Sequence, residues 1–241
     1  QHIQRGDIYE MNYCLENFSN DALLNAEGLF LNLNNISKTP FAAFLHINEH
    51  YVLCASPERF LRKKQNHVIS QPIKGTIRRG NNTIEDEKLK DELTNSQKDI
   101  SENVMITDLV RNDLSITAKK SSVNVDEFCK VYTFEKVHQM ISTISSQIDR
   151  NVHFIDLLES VFPMGSMTGA PKISAMKHID RLELEGRGAY SGSIGYISPT
   201  GDFDLNVLIR SLFHNSVSEV LMSNVGGAIT SLSDPEQEYQ E

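Results

Sequence analysis

One α+β domain with extensive antiparallel sheet is predicted by this 241-residue sequence. Short apolar runs come in pairs separated by a few turn-forming residues, the pattern of antiparallel hairpins. Beside the paired runs lie stretches whose apolar residues recur at helical spacing. No Pro/Gly/Ser-rich linker, low-complexity tract or fixed-period repeat divides the chain.

Residues 14–36 carry Leu15, Phe18, Leu23, Leu24, Leu29 and Leu33 at roughly helical spacing and predict one or two helices. Two hairpins follow. Phe41–Ile47 and Tyr51–Ala55 flank Asn48-Glu49-His50, and Arg59–Lys63 and His67–Gln71 flank Lys64-Gln65-Asn66. The charged patch from Arg78 to Asn95 reads as an exposed connection running into a helix. From Lys98 to Leu114 a longer helix is apolar on several sides and therefore mostly buried. Residues 134–148 return to strand, and Phe154–Val161 forms a short helix. A glycine-rich loop, Pro163–Ala170, leads into a helix from Pro171 to Leu184. Pro171 suits its first turn, and Ile173, Met176, Ile179 and Leu182 form one stripe. Three antiparallel strands close the chain: Ala189–Ser198, Phe203–Phe213 and Glu219–Ile229.

The net charge of −9 argues against nucleic acid or an anionic membrane as the main partner. Cys14, Cys54 and Cys129 are odd in number and widely spaced, so neither a disulfide framework nor a thiolate zinc site is expected. That fits a reducing, cytoplasmic setting. There is no apolar run long enough to cross a membrane as a helix, and Gln1–Gly6 lacks the character of a signal peptide. The first residue is not Met and the last lies in a charged segment, so both ends are expected to be cut from something longer.

Lys74 stands in Pro72-Ile73-Lys74-Gly75-Thr76, at the end of a strand-like run. This placement suits a side chain held in a pocket, where a desolvated lysine can act as a nucleophile. The competing reading is a strand-end lysine that reaches water. If the preceding hairpin turns at Gln65-Asn66, Glu58 lies opposite Ile73 or Lys74, as an acid/base partner or an ordinary ion pair. On the helix from Lys98, Asp99, Glu102, Ile106, Leu109 and Asp113 share a face, so the acids need protonation, a cationic partner or a metal. The loop Gly165–Lys172 feeds a helix N-terminus that could receive an anion, or is a tight connection only. Gly226-Gly227 lets a ligand approach the backbone, and Arg210 in an apolar strand is a candidate fork for a carboxylate. His138 reads as a satisfied core histidine. The acidic end, Asp234–Glu241, offers further carboxylates.

Seven stretches occur in the order found in the chorismate-binding enzymes: Gly6–Tyr9, Ser56–Phe60, Pro72–Thr76, Ser101–Leu114, Gly165–Lys172, Gly188–Tyr196 and Asp234–Glu241. The chain resembles that family, which includes anthranilate, aminodeoxychorismate, isochorismate and salicylate synthases. The resemblance implies two packed antiparallel β-sheets with helices outside and a ligand between them with Mg²⁺. Full-length members carry an amino-terminal portion that completes the sheets and a carboxyl-terminal helix, and both are expected to be missing here. Lys74 resembles the branch that aminates chorismate through a covalent lysine intermediate, giving 4-amino-4-deoxychorismate on the folate route to para-aminobenzoate. By resemblance Lys74 is the nucleophile and Glu58 the general acid/base, with a proton shared between them. Glu102, Glu238 and Glu241 are similar to the Mg²⁺-binding acids, with Asp99 in support. Arg210, Tyr190, Gly226 and Gly227 match positions that hold the enolpyruvyl carboxylate, and Thr168 and His138 match positions near the ring. A glutamine amidotransferase subunit supplying ammonia is the implied partner. The alternatives are anthranilate synthase and an inactive chorismate-binding fragment.

Overall fold

Backbone pairing between distant segments builds two antiparallel sheets. A computed structural model describes residues 2–240. In chain order its first elements are α1 (His2–Arg5), β1 (Glu10–Ser19), α2 (Ala26–Ser37), β2 (Phe41–Ile47), β3 (His50–Ser56), β4 (Arg59–Lys64), β5 (His67–Gln71) and β6 (Ile73–Arg78). Next come α3 (Thr83–Asn95), α4 (Gln97–Ser115), β7 (Asn124–Thr133), β8 (Val137–Gln147) and α5 (Phe154–Val161). A single 3-10 turn, Gly165–Met167, precedes β9 (Gly169–Ala170) and α6 (Lys172–Leu182). The rest are β10 (Gly195–Ile197), β11 (Phe203–Asn206), β12 (Ser211–Asn215), β13 (Val220–Ile229) and α7 (Pro235–Gln240).

One sheet runs β2-β3-β12-β13-β1-β9, and the other runs β10-β11-β4-β5-β8-β6 with β7 also on β8. The expected two-sheet α+β architecture is therefore present. Side chains from both sheets and two helices meet in one core, with Cys14 of β1, Phe60 and Leu61 of β4, Ile106 and Leu114 of α4, Ile144 of β8 and Leu157 of α5. Their burial removes apolar area from water, at about 25 cal/mol per Å². A smaller cluster, Ile8, Met11 and Ala175, packs α6 against the start of β1. Among the described residues no helix is long and apolar enough to cross a membrane.

Several elements follow from local chemistry. Ser96 caps α4 by accepting a bond from the Asp99 amide at 3.3 Å, and Asn82 caps α3 through the Glu85 amide at 3.0 Å. The face of α4 that turns inward carries Glu102, Asn103, Ile106, Thr107, Val110, Asp113 and Leu114. The short helix Phe154–Val161 has the expected bounds.

Several expectations are corrected. Residues 14–19, expected to begin a helix, instead belong to a strand, because β1 pairs with β13 from Met11↔Ile229 to Ser19↔Leu221, a partner local spacing cannot reveal. The charged patch after Arg78 is mostly the capped helix α3, and Arg79 grips Asp86 with two bonds of 2.7 Å. The strand β7 was not anticipated. Of Ala189–Ser198 only Gly195–Ile197 is strand. The long predicted strand Phe203–Phe213 is two, β11 in one sheet and β12 in the other. Between them the Val207 amide bonds Glu58 O at 3.0 Å, and Arg210 takes a left-handed backbone with φ 49°. Residues 207–210 thus carry the chain across the seam between the sheets.

Candidate active site

The lysine end of the site is set by a proline. β5 and β6 both run along β8, and Pro72, which has no amide to donate, separates them. Lys74 follows at once, and Gly75 takes φ 94° where any Cβ would lie 2.9 Å from Asp99 Cβ. Asn103 on α4 fixes this stretch, donating to Lys74 O at 3.3 Å and to Met140 O at 3.2 Å. The side chain points inward and the residue is 9% exposed, which decides for the pocket reading over the solvent one. Its Nζ donates to Glu10 Oε1 at 2.6 Å. Glu10 is fully buried, and its Oε2 has no hydrogen-bond partner. It opens β1 beside Gly169 of β9, where a Cβ would come within 2.1 Å of the Glu10 carbonyl oxygen.

Glu58 does not face Lys74 across the hairpin. The register runs Lys64↔His67, Lys63↔Val68 and Arg62↔Ile69, then shifts to Arg59↔Gln71. The irregularity moves every later position, and Lys74 lies beyond Pro72 on β6, whose partner is β8. The direct contact between the two residues is replaced by Lys74–Glu10. Instead Ser166 Oγ donates to Glu58 Oε1 at 2.7 Å. Burial pushes the Glu58 carboxyl up to about 7, opposed in turn by the Ser166 bond, the Lys74 charge, the Ile73 amide and the Arg210 charge. The carboxyl, the ammonium and the guanidinium therefore share one electrostatic neighbourhood.

The acids of α4 divide between the two readings. Asp113 is a structural partner, accepting from Lys172 Nζ at 2.5 Å. Glu102 is buried, and its Oε1 has no partner. Burial pushes it up to about 7, with Lys74 opposing and Glu10 reinforcing the shift. Glu238 on α7 lies 3.5 Å from Lys98 Nζ, the lysine whose charge also acts on Glu102. Glu241 lies outside the described residues. Among the described residues, no three acids at this end have oxygens within 4.8 Å of one another.

Four of the remaining positions line two cavities. Thr168 and Tyr190 line one of about 500 Å³. Gly226, Gly227 and Glu238 line another of about 490 Å³. Thr168 Oγ1 bonds Met164 O at 3.1 Å, and burial raises the Tyr190 phenol above its ordinary range beside Cys14. Arg210 is exposed at the seam. His138 is buried with both ring nitrogens engaged, Nδ1 to Thr133 Oγ1 and Nε2 to Asp86 Oδ1, each at 3.0 Å. These two bonds are those of the satisfied core histidine of the local reading.

The two glycines differ in kind. A Cβ on Gly226 would sit 2.8 Å from Cys14 Sγ and 2.9 Å from Asn12 Oδ1, whereas one on Gly227 would meet only Glu238 Oε2 at 3.6 Å. Gly226→Ala is expected to cost about 1–3 kcal/mol in chemical denaturation. Gly227→Ala should stay within about 0.5 kcal/mol.

Glu10 and Ser166 escaped the reading of the sequence as site residues. Glu10 stands just after one quoted motif and Ser166 lies within another, but only the pairing of β1 with β9 and the 3-10 turn aim them inward. A third group, Arg187, was also missed. It holds Glu183 with bonds of 2.8 and 2.6 Å and donates to Met167 O at 2.6 Å and Asn12 O at 2.9 Å, tying the glycine loop to β1.

Comparison with known proteins places this geometry. The family model described as chorismate binding enzyme matches residues 1–241. Aminodeoxychorismate synthase component 1 of Escherichia coli (strain K12) is 40% identical over 241 residues, covering 100% of this chain and 52% of that protein. A probable chloroplastic aminodeoxychorismate synthase of Oryza sativa subsp. japonica is 41% identical over 244 residues, covering 100% of this chain and 27% of that protein. The structure of anthranilate synthase component I from Streptococcus pneumoniae TIGR4 superimposes with a TM-score of 0.89 at 29% identity, over 99% of this chain and 52% of that one. The chain thus spans about half the length of the bacterial relative.

Proposed function

Since this chain belongs to the chorismate binding enzyme family, we propose that it carries the active site of an aminodeoxychorismate synthase, which converts chorismate and ammonia to 4-amino-4-deoxychorismate. The observation that carries this reading is Lys74, buried and held at 2.6 Å by a fully buried carboxylate, beside a second carboxyl pushed up to about 7.

In this reading the neutral Lys74 amine attacks C2 of the ring, the double bonds shift, and the C4 hydroxyl leaves as water with the proton from Glu58. Glu10 accepts the proton that Lys74 gives up. Ammonia then attacks C4, the C2–N bond breaks, and the amine of Lys74 is restored. The 500 Å³ and 490 Å³ cavities are in the size range of small-ligand sites. Thr168, Tyr190, Arg210 and the backbone at Gly226-Gly227 are the groups assigned to orient the substrate's ring and carboxylates.

Mg²⁺ suits the acids at the other end. Glu102 Oε1 is a buried oxygen without a partner, and Glu238 adds a second hard oxygen donor. These residues would hold the ion, which when bound neutralises substrate carboxylate charge. Lys98 is placed to keep Glu238 in position until then. Ammonia is assigned to a glutamine amidotransferase partner, in keeping with the name component 1 of the bacterial relative.

The test is turnover with chorismate, Mg²⁺ and ammonium salt, with the product identified by mass. Accumulation of 4-amino-4-deoxychorismate supports the reading. Anthranilate with released pyruvate would replace it with the anthranilate synthase reaction. Chorismate binding by calorimetry without turnover would reduce the chain to a binding module.

A further inference from the structure

Just before β1, two histidines and an aspartate converge. Gly6 bends the chain with φ 80° between α1 and β1, and the Asp7 amide bonds back to His2 O at 3.0 Å. This turn sets His2 Nδ1 2.9 Å from Asp7 Oδ2. The turn is fixed to α6 by Ser174 Oγ, which donates to Asp7 O at 2.9 Å. His178, one turn further along α6, is one of only two buried residues of that helix among those described, the other being Ala175. Its ring lies over that of His2 with centroids 4.0 Å apart.

His178 is the anomaly that points to a ligand. The residue is only 9% exposed, yet its ring makes no hydrogen bond to any described residue. Its ring nitrogens still reach solvent, so they are open to a ligand that approaches from that side. Ligand atoms of His2, Asp7 and His178 all lie within 4.8 Å of one another. Donors around one zinc ion stand roughly 3–3.5 Å apart, so side-chain rotations of about 1 Å would close the set.

We propose that His2, Asp7 and His178 form a binding site for a divalent transition-metal ion, with Zn²⁺ as the fitting representative. Two imidazoles and one carboxylate suit zinc, cobalt or nickel and not Mg²⁺, which takes oxygen donors. The site therefore differs in chemistry and in residues from the carboxylates of α4 and α7. Three protein ligands leave one position of a tetrahedral ion for water or a fourth donor. Bound there, the ion ties the α1–β1 turn to α6, and so braces both the segment that carries Glu10 and the helix that follows the glycine loop.

Calorimetry of the untagged, chelator-treated chain with Zn²⁺ at pH 7.5 tests this, with Co²⁺ absorbance as a second probe. One ion per chain, a visible d–d band and a raised melting temperature are expected. Asp7→Asn and His178→Gln should each weaken binding by on the order of tenfold to a hundredfold, with circular dichroism unchanged in chelator. Zn²⁺ binding by the variant combining His2→Gln, Asp7→Asn and His178→Gln as tight as that of the unaltered chain would overturn the site. So would failure of the unaltered chain to take up one equivalent.

Discussion

A Lys74→Ala variant is expected to lose 4-amino-4-deoxychorismate formation by at least on the order of a thousandfold with ammonium as donor, and to show no mass adduct with chorismate. Removing Lys74 has a second consequence that the geometry makes unavoidable. Glu10 is fully buried and Lys74 is its ion-pair partner, so the variant leaves a buried carboxylate uncompensated. Breaking such a pair by removing one member costs about 3–5 kcal/mol. Combining Lys74→Ala with Glu10→Gln should recover much of that stability in denaturant while activity stays lost. Native-rate amination by Lys74→Ala would rule out the nucleophile role. Equal stability of the single and double variants would rule out the burial argument.

Glu58→Gln is the second large effect. The Glu58 carboxyl is pushed to about 7, so it holds a proton below that pH and can give it to the departing hydroxyl. Its contribution to the rate falls as pH rises through 7, and Glu58→Gln should lose about a hundredfold to ten-thousandfold in kcat together with that limb of the profile. Stability carries the same sign. A carboxyl raised from 4.5 to about 7 costs nothing below pH 4.5, where it is protonated folded and unfolded. Between 4.5 and 7 the unfolded chain ionises while the folded one resists, and stability falls by on the order of 3 kcal/mol. Above 7 the loss is constant. Glu102, also raised to about 7, adds a similar slope, so Glu58→Gln should remove only part of the decline. Melting curves in chelator across this range measure it. An unchanged slope in Glu58→Gln would show that the carboxyl is not desolvated as described.

The lysine itself was legible because proline, a β-branched residue and glycine around a cation are unusual on a surface. Glu102 was legible through helical phase, since 100° per residue is a rigid rule within one helix. Failures came where a rule had to cross an irregularity. The hairpin count was right at Lys64↔His67 and lost by Arg59↔Gln71, because a bulge shifts every position after it. Leu15 and Phe18 looked helical because spacing over so few residues does not exclude a strand, and β13 decided the matter from 200 residues away. His138 was legible as a core histidine, and its partner is Asp86, which Arg79 holds well below the usual carboxylate range.

By itself the sequence determined the antiparallel α+β class, the helix that carries Glu102, the glycine loop and the lysine that stands out from its neighbours. These depend on side-chain type and short-range geometry, which a chain carries locally. Only the tertiary structure decided who neutralises that lysine. Glu10 reaches Lys74 because β1, β9 and β6 are brought together from three parts of the chain. The reason is physical: a buried ammonium takes whichever carboxylate the packing leaves within hydrogen-bond reach, and packing is a property of the assembled sheets.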